Sequence, residues 1–331
     1  MTYVKSPILD ALDHRIIHAL YLDGRMPFSR MAEVLGVSEQ TIARRYRRMR
    51  DEHGVRVVAQ LDSQRLGRSD WAVRIRCTPD AAMPVATALA RRPDTAWVQL
   101  TSGGTEIFCM VNAHDERQRT TLLLEQLPAS SRIVGLDAYC LLHVFTSDTS
   151  GPPGAEGLSP DEVDRLVPPC RDPGPDAAGS DGEVSEEDWP LVRALEEDGR
   201  GTHRELAART HRHESTVRRR VDELIASGML FFDLDIDSGL LGLRSRAILW
   251  VSVAPSALMA VGAALTDYRE VPFVAATTGP TNLVASVACH DDVALFEFLT
   301  REIAGLEGVS HLETSPVIRS IKMHTTLTRS H

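Results

Sequence analysis

Residues 38–49 read SEQTIARRYRRM, and this stretch decides the fold of the region around it. Ile42, Tyr46 and Met49 recur at the spacing of a helix and share one face, which predicts that this face is buried. The opposite face carries Gln40, Arg44 and Arg47. A helix of this kind can dock on its own domain with its apolar side and enter a nucleic-acid groove with the other.

Two shorter helices are predicted in front of this stretch. Apolar residues recur at helical spacing between residues 8 and 20 and stop at Asp23-Gly24, and a second helix is expected over residues 28–35. Gly36-Val37 then forms a tight turn, and Ser38 is placed to cap the third helix. Three helices joined in this way predict a helix-turn-helix domain of the winged type.

The chain also contains an internal repeat. Asp23-Gly24-Arg25 recurs 175 residues later as Asp198-Gly199-Arg200. TSGGTEI at residues 101–107 recurs 176 residues later as TTGPTNL at residues 277–283. Because one inserted residue accounts for the change of offset, we infer two copies of one two-domain module, which we call copy 1 and copy 2.

The third helix of copy 2 is expected over residues 213–224, HESTVRRRVDEL. Its apolar stripe is formed by Val217, Val221 and Leu224. Its outward face is formed by Ser215, Arg218 and Arg219. Asp222 and Glu223 take the place of two arginines in copy 1, so copy 2 should attract phosphates less strongly. Capping boxes at residues 185–188 and 202–205 should start its first two helices.

A second type of domain follows each set of helices. In copy 1, strands are expected at residues 71–77, 97–101, 106–111 and 133–145, with helices at 83–90 and 117–127. In copy 2, strands are expected at 247–253, 271–277, 282–288 and 309–323, with helices at 258–266 and 293–303. The order βαββαβ predicts a ferredoxin-like sandwich and an α+β fold class. Helices cover one sheet face, and the second copy is expected to cover the other.

The net charge of −10 is concentrated between the copies. Residues 148–188 carry twelve acids and two arginines, so the rest of the chain is neutral and can hold local basic patches. The richness in Pro, Gly and acids predicts an extended linker, with a short helix near residues 159–167. The expected domains are residues 1–60, 61–147, 148–184 (linker), 185–235 and 236–331.

Composition excludes several classes of protein. The five cysteines are widely spaced without a CxxC pair, which argues against a disulfide framework or a zinc site. No apolar run is long enough for a membrane span, and no secretory leader is recognisable. We therefore expect a cytoplasmic protein with no metal, no cofactor and no catalytic residues.

The helix-turn-helix domain, an LD-S-x-x-LG connector at residues 61–67 and the βαββαβ domain together resemble the Lrp/AsnC (feast/famine) family of transcriptional regulators in a tandemly duplicated form. The residues that carry the resemblance are Leu9, Asp10, Asp13, Asp23, Gly24, Arg25, Met31, Ala32, Gly36, Val37, Ser38, Arg45, Leu66 and Gly67. The resemblance implies DNA binding by the helical domains. It also implies effector binding and oligomerisation by the sheet domains.

The helix pattern and the resemblance together indicate the candidate site residues. DNA contacts are expected from Ser38, Gln40, Thr41, Arg44, Arg45, Arg47, Arg48, Ser215, Thr216, Arg218, Arg219 and Arg220. In the family, small ligands such as amino acids lie near the turn between the second and third strands. Here that turn is formed by Gly103, Gly104, Thr105 and Glu106 in copy 1 and by Gly279, Pro280, Thr281 and Asn282 in copy 2. Both turns depart from the family's usual Gly-Asp-Tyr-Asp, and a plain hairpin turn that needs glycine is the alternative.

The duplication also bears on the partners. One chain should correspond to a whole family dimer with a pseudo-twofold axis, and its two different reading helices should prefer an asymmetric operator in double-stranded DNA. A small-molecule effector and a homo-oligomer formed through the sheet domains are further expectations. Two other functions stay open. One is a siroheme-decarboxylase-like enzyme using residues such as His143, Arg319 and His324, and the other is an effector sensor that no longer binds DNA.

Overall fold

The computed structural model describes residues 9–112, 116–145, 154, 157–167 and 184–324. These residues belong to two compact units. The helical unit draws on residues 1–67 and 155–241, and the sheet unit on residues 68–154 and 242–331. Each unit therefore combines a part of copy 1 with the matching part of copy 2. Within the described ranges, no helix has the length and apolarity needed to cross a bilayer.

The elements predicted for each copy occur in the predicted order, and each copy has one further strand after its third helix that was not predicted. Copy 1 and the linker contribute α1 (Ala11–Leu22), α2 (Phe28–Leu35), α3 (Glu39–His53), β1 (Arg56–Leu61), β2 (Trp71–Cys77), α4 (Ala82–Ala90), β3 (Thr95–Thr101), β4 (Glu106–Val111), α5 (Glu116–Thr120), β5 (Ile133–Phe145) and α6 (Pro160–Leu166). Copy 2 contributes α7 (Trp189–Glu197), α8 (His203–Thr210), α9 (Glu214–Ala226), β6 (Leu230–Asp235), β7 (Ser245–Val253), α10 (Leu258–Thr266), β8 (Phe273–Thr277), β9 (Leu283–Cys289), α11 (Asp292–Glu297) and β10 (Val309–Ser320). The α+β class and the two-copy organisation are confirmed.

The caps predicted at Ser38, Ser185 and Thr202 are present. The Ser38 hydroxyl accepts a hydrogen bond from the Thr41 backbone N–H at 3.2 Å. Capping boxes begin at Ser185 and Thr202. Because these side chains satisfy backbone donors that the helix leaves open, they fix where each helix begins. The apolar stripes of α3 and α9 are buried, as predicted.

The helical unit is held together by a two-stranded sheet. Strand β1 of copy 1 pairs antiparallel with β6 of copy 2, from Arg56 opposite Asp235 to Leu61 opposite Leu230. Ala59 of β1 lies in the same buried cluster as the core residues of α7, α8 and α9. The strand that follows each helix-turn-helix domain therefore joins the two domains.

The sheet unit contains two ferredoxin-like sheets that close on each other. All strand pairs are antiparallel, and their order is β10-β3-β4-β2-β5-β8-β9-β7 in a closed sheet. The last strand of each copy pairs with the second strand of the other copy's sheet domain. Strand β5 pairs with β8, and β10 pairs with β3. A shared core with residues from both copies, including Phe108 and Trp250, lies between the two sheets. The expectation that each copy covers the open face of the other is confirmed.

The second helix of each sheet domain differs from the prediction. Helix α5 ends at Thr120 and continues as a wider π-helical segment, Thr121–Gln126. Helix α11 likewise continues as Phe298–Glu302. A π-helical turn has more residues than an α-helical turn, so it shifts the buried face around the axis. Leu122 and Leu123 of the first segment are both buried.

Most of the linker lies outside the described residues, so its extended form stays a prediction. The predicted short helix is present as α6 and begins with a capping box formed by Ser159 and Glu162. Leu166 is buried, and the side chains of Arg15 and Glu162 form an ion pair. A hydrogen bond from the Arg30 guanidinium to the Arg165 carbonyl (3.1 Å) adds a contact with α2. Helix α6 therefore packs on the helix-turn-helix domain of copy 1.

Candidate nucleic-acid interface and effector turns

The outer face of α3 is exposed. Gln40, Arg44 and Arg47 are exposed. Within the described part of the chain, none of these three side chains forms a hydrogen bond or ion pair with another residue. Ser38 and Thr41 belong to the cap, where their hydroxyls lie 2.9 Å apart. The face therefore offers two guanidinium groups and one amide to an external partner.

Two of the predicted DNA-binding arginines of copy 1 have partners inside the domain. Arg45 donates to the Asp13 carboxylate at 3.0 Å and also contacts Asp10. Arg48 forms an ion pair with Asp13, whose side chain is fully buried. The hydrogen bond from Arg45 is the main reason that the pKa of Asp10 lies below its ordinary value, although partial burial opposes the shift. These arginines hold α3 against the start of α1.

Copy 2 repeats this anchor with Arg220 in the position of Arg45. The Arg220 guanidinium donates to the buried carboxylate of Asp188 at 2.7 Å. Burial alone would raise the pKa of Asp188, but hydrogen bonds from Arg220 and Ser185 hold it below its ordinary value. Arg212 lies 3.5 Å from the same carboxylate. The pair Asp188–Arg220 corresponds to Asp13–Arg45 at the repeat offset of 175 residues.

The outer face of α9 is exposed but differs in charge from that of α3. Ser215, Thr216, Arg218 and Arg219 are exposed. Arg218 lies 3.7 Å from Glu214, and Arg219 lies 3.7 Å from Glu223. Helix α3 contains five arginines and three acids, whereas α9 contains three of each. The positive electrostatic potential at the outer face of α9 is therefore weaker than that at the outer face of α3.

Sequence reasoning missed a reciprocal contact between the copies, which we call the arginine clasp (Arg25 and Arg200). Arg25 donates to the carbonyl oxygens of Gly199 and Gly201, at 2.7 and 3.3 Å. Arg200 donates to those of Gly24 and Met26, at 2.5 and 2.9 Å. The repeated Asp-Gly-Arg triplet carried the signal, but the sequence does not say which groups it contacts.

The turn of copy 1 uses its polar groups internally. Gly103 and Gly104 have φ of 77° and 86°, which is the left-handed region that glycine tolerates. Thr105 donates to the Ser102 carbonyl at 3.3 Å. Glu106 lies in β4, where its carboxylate is buried, pairs with Arg74 at 2.6 Å and accepts a hydrogen bond from Thr101 at 3.1 Å. Ser102, Gly103 and Thr105 are exposed, whereas Glu106 is buried, so the turn is open to a ligand at its tip and not at Glu106.

The polar groups of the copy 2 turn also form hydrogen bonds within the protein. Gly279 has φ of 106°, and a Cβ atom there would lie 2.5 Å from the Tyr139 ring. The carbonyls of Pro280 and Thr281 accept hydrogen bonds from Ser252 and Thr277, each at 3.0 Å. Asn282 bonds the backbone of Val253 in both directions at 2.8 Å. The two turns lie against different strands: copy 1's against β10 and copy 2's against β5.

The residues considered for an enzyme do not converge. His143 is exposed on β5, at the seam with β8, and contacts Phe145 at 4.6 Å between ring centroids. Arg319 lies on β10 opposite Leu100, at the other seam. His324 lies beside Trp97, and burial lowers its pKa to about 4. Among the described residues, no group of three or more His, Cys, Asp or Glu side chains could hold a metal ion.

Comparison with known proteins matches both kinds of domain. The model of the AsnC-type helix-turn-helix domain matches residues 9–50 and again residues 186–225. The model of the Lrp/AsnC ligand-binding domain matches residues 246–327, which is the sheet domain of copy 2. The two helix-turn-helix matches fall on α1–α3 and α7–α9.

Individual relatives match the chain over lengths close to that of one copy. An uncharacterised HTH-type transcriptional regulator of Pyrococcus horikoshii is 30% identical over 141 residues, which are 42% of this chain and 89% of the relative. The proline dehydrogenase transcriptional activator of Rhodobacter capsulatus is 27% identical over 44% of this chain and 97% of the relative. The crystal structure of the siroheme decarboxylase NirDL covers 97% of this chain and 95% of its own, with a TM-score of 0.58 and 15% identity. That likeness shows a shared fold in which one chain carries both copies.

Proposed function

Because the chain belongs to the Lrp/AsnC family of helix-turn-helix transcriptional regulators, we propose that it regulates transcription by binding one asymmetric operator with both of its helix-turn-helix domains. Each third helix presents an exposed polar face, and the helical unit joins the two domains through β1, β6 and the arginine clasp. This pairing is the single observation that carries the proposal. A fixed pair of reading helices selects two half-sites at once, as a dimer does.

The asymmetry of the operator follows from the different faces. Arg47 of copy 1 corresponds to Asp222 of copy 2, and Arg48 corresponds to Glu223. A symmetric dimer presents the same face twice and favours a palindrome, whereas this chain presents two faces. We further propose that the protein acts in the cytoplasm. Copy 1 is proposed to divide near residue 60, and copy 2 near residue 235, into a DNA-binding domain and a regulatory domain.

The sheet unit is the proposed regulatory part. The match of residues 246–327 to a ligand-binding domain model supports a small-molecule effector near Gly279-Pro280, and by the repeat near Gly103-Gly104 in copy 1. The adjacent Glu106 and Asn282 are committed to internal bonds, so we propose that they shape the turns instead of contacting the ligand. Assembly of several chains through the sheet unit remains part of the proposal.

We propose a regulator in preference to an enzyme of the siroheme decarboxylase type. His143 lies at one seam of the closed sheet and Arg319 at the opposite one, so they do not form a common acid–base site. When a haem-type tetrapyrrole is added to the purified chain, the Soret band of the tetrapyrrole should not shift. A saturable shift with a one-to-one end point would favour the enzyme.

The test of DNA binding uses the purified full chain and the duplex upstream of its own coding region. Fluorescence anisotropy should show binding that is tighter than to a scrambled duplex and that weakens steeply with salt, because the arginines displace counterions from phosphates. A double variant, Arg44→Ala with Arg219→Ala, should lose this binding, and Arg193→Ala on the exposed side of α7 should retain it. If no duplex were bound even at low salt, the regulator proposal would be wrong.

A further inference from the structure

We infer that the two reading helices select different bases, with an A·T-weighted half-site under copy 1 and a G·C-weighted half-site under copy 2. The inference rests on the proposed function, because it concerns which operator the two domains bind. It starts from the outward residues on the first two turns of α3 and α9. In a helix-turn-helix domain the N-terminal residues of the reading helix approach the base edges.

The relevant positions are fixed by the repeat offset and by exposure. In α3 the outward positions of these turns are Gln40 and Arg44, with Ala43 half-buried beside them. In α9 the same positions hold Ser215, Arg219 and Arg218, all exposed. Arg45 and Arg220 are held by buried aspartates, so neither helix brings them to the bases.

Copy 1 carries the chemistry that reads A·T pairs next to one guanine. A glutamine amide can accept a hydrogen bond from the N6 amino group of adenine through its oxygen and donate one to N7 through its NH2 group, and an alanine methyl fits against the thymine methyl. Gln40 and Ala43 supply these two groups. Arg44 has no internal partner in the described part of the chain, so its guanidinium can bond O6 and N7 of a guanine.

Copy 2 carries the chemistry that reads G·C pairs. Arg218 replaces the alanine methyl, so two neighbouring guanidinium groups face outward, each able to bond a guanine. Their side chains are 62% and 74% exposed, and their ion pairs with Glu214 and Glu223 are long, at 3.7 Å. Exposed ion pairs of this kind contribute little, so they can be exchanged for contacts with bases. Ser215 is too short for the two-bond contact with adenine that Gln40 can make.

The experiment selects binding duplexes from a random library with the full chain. A double variant, Ser215→Gln with Arg218→Ala, gives copy 2 the reading residues of copy 1 and leaves Asp222 and Glu223 in place. Arg193→Ala removes one positive charge from an exposed site on α7 and serves as the matched control. Circular dichroism confirms that each variant is folded before selection.

The wild-type chain should enrich a two-part site with one A·T-weighted and one G·C-weighted half. The double variant should convert only the G·C-weighted half, giving a nearly palindromic site that it prefers roughly tenfold over the wild-type site. The Arg193→Ala control should enrich the wild-type site. If the selected sites had two equal halves, or if the double variant selected the same halves as the wild type, the inference would be overturned. The proposal that the protein is a DNA-binding regulator would be unaffected. Enrichment of no sequence by any chain would overturn both.

Discussion

Arg25 and Arg200 each donate hydrogen bonds to the turn that carries the other. The same two side chains also lie over aromatic rings. Arg25 is 5.3 Å from the centroid of Phe232, and Arg200 is 4.2 Å from that of Phe28. Both guanidinium groups are largely removed from water, and this burial lowers the pKa of each below its ordinary value. The glycines of both turns are required as well, because a Cβ at Gly24 would lie 2.7 Å from Val57.

Removal of one side of the arginine clasp should loosen the pairing of the two helix-turn-helix domains. Arg200→Ala leaves two carbonyl groups without their charged donor, which costs about 2 kcal/mol of unfolding free energy of the helical unit. Urea unfolding followed by circular dichroism measures this loss. Arg193→Ala should change the unfolding free energy by less than about 0.5 kcal/mol. Equal effects of the two substitutions would show that the clasp does not stabilise the unit.

Asp188 predicts a pH dependence of stability. Its folded-state pKa lies below its unfolded-state value, because hydrogen bonds from Arg220 and Ser185 outweigh the effect of burial. The stabilisation by the carboxylate is therefore complete above about pH 4 and is lost as the pH falls through the folded-state pKa. Unfolding free energies of the wild type and of Asp188→Asn should differ at pH 6 and converge towards pH 2. A difference that stays constant with pH would contradict this assignment.

Local patterns in the sequence were enough for most of the fold. The periodicity around Ile42 and Val217 places the reading helices, and the same spacing could have located the anchors. Arg45 and Arg220 each lie three residues after one of these core positions, so they flank the buried stripe. An acid repeated at Asp13 and Asp188 was their available partner. Taken with the third helix alone, the positive charge at these positions predicts DNA contacts, whereas in the folded domain it pairs with the buried aspartate.

Contacts between the copies could not be predicted in the same way. Alternation along β5 and β10 indicates strands but does not specify that each pairs with the second strand of the other copy. Glu106 similarly looked like part of an exposed turn, whereas Arg74 of β2 holds it in a buried pair. Pairing between distant strands depends on register, and periodicity within one strand does not encode register.

The two reading helices should differ in their dependence on salt. Arg47→Ala removes an exposed cation of α3 that lies beyond the base-reading turns and has no internal partner in the described residues, so the slope of log Kd against log salt should fall by roughly one. Arg219→Ala should lower the slope by less, because Glu223 at 3.7 Å already offsets part of its charge. Anisotropy titrations over a series of salt concentrations give both slopes. Equal slopes and equal losses of affinity would refute the view that copy 1 supplies more of the phosphate attraction.

Helix α6 should protect the helix-turn-helix domain of copy 1 and not that of copy 2. Leu166→Ala removes the one buried leucine of α6, which lowers the free energy of docking by about 2 kcal/mol. Hydrogen exchange should then speed up in α1 and α2, where α6 packs, and stay unchanged in α7 and α8. Asp164→Ala alters an exposed residue of the same helix and should leave exchange in α1 and α2 as in the wild type. Faster exchange in both copies would point to a general loss of stability.

The glycines of the effector turns should differ in how much an added methyl group costs. Gly103 and Gly279 both have positive φ, so alanine at either position costs about 1–2 kcal/mol through backbone strain. A Cβ at Gly103 meets no atom within 4 Å, whereas one at Gly279 collides with the Tyr139 ring. Gly279→Ala should therefore lower the Tm of the sheet unit clearly more than Gly103→Ala. Gly279→Ala combined with Tyr139→Ala should recover part of the difference, because the collision is removed while the strain remains. If the two single variants melted at the same temperature, the ring would not constrain this turn.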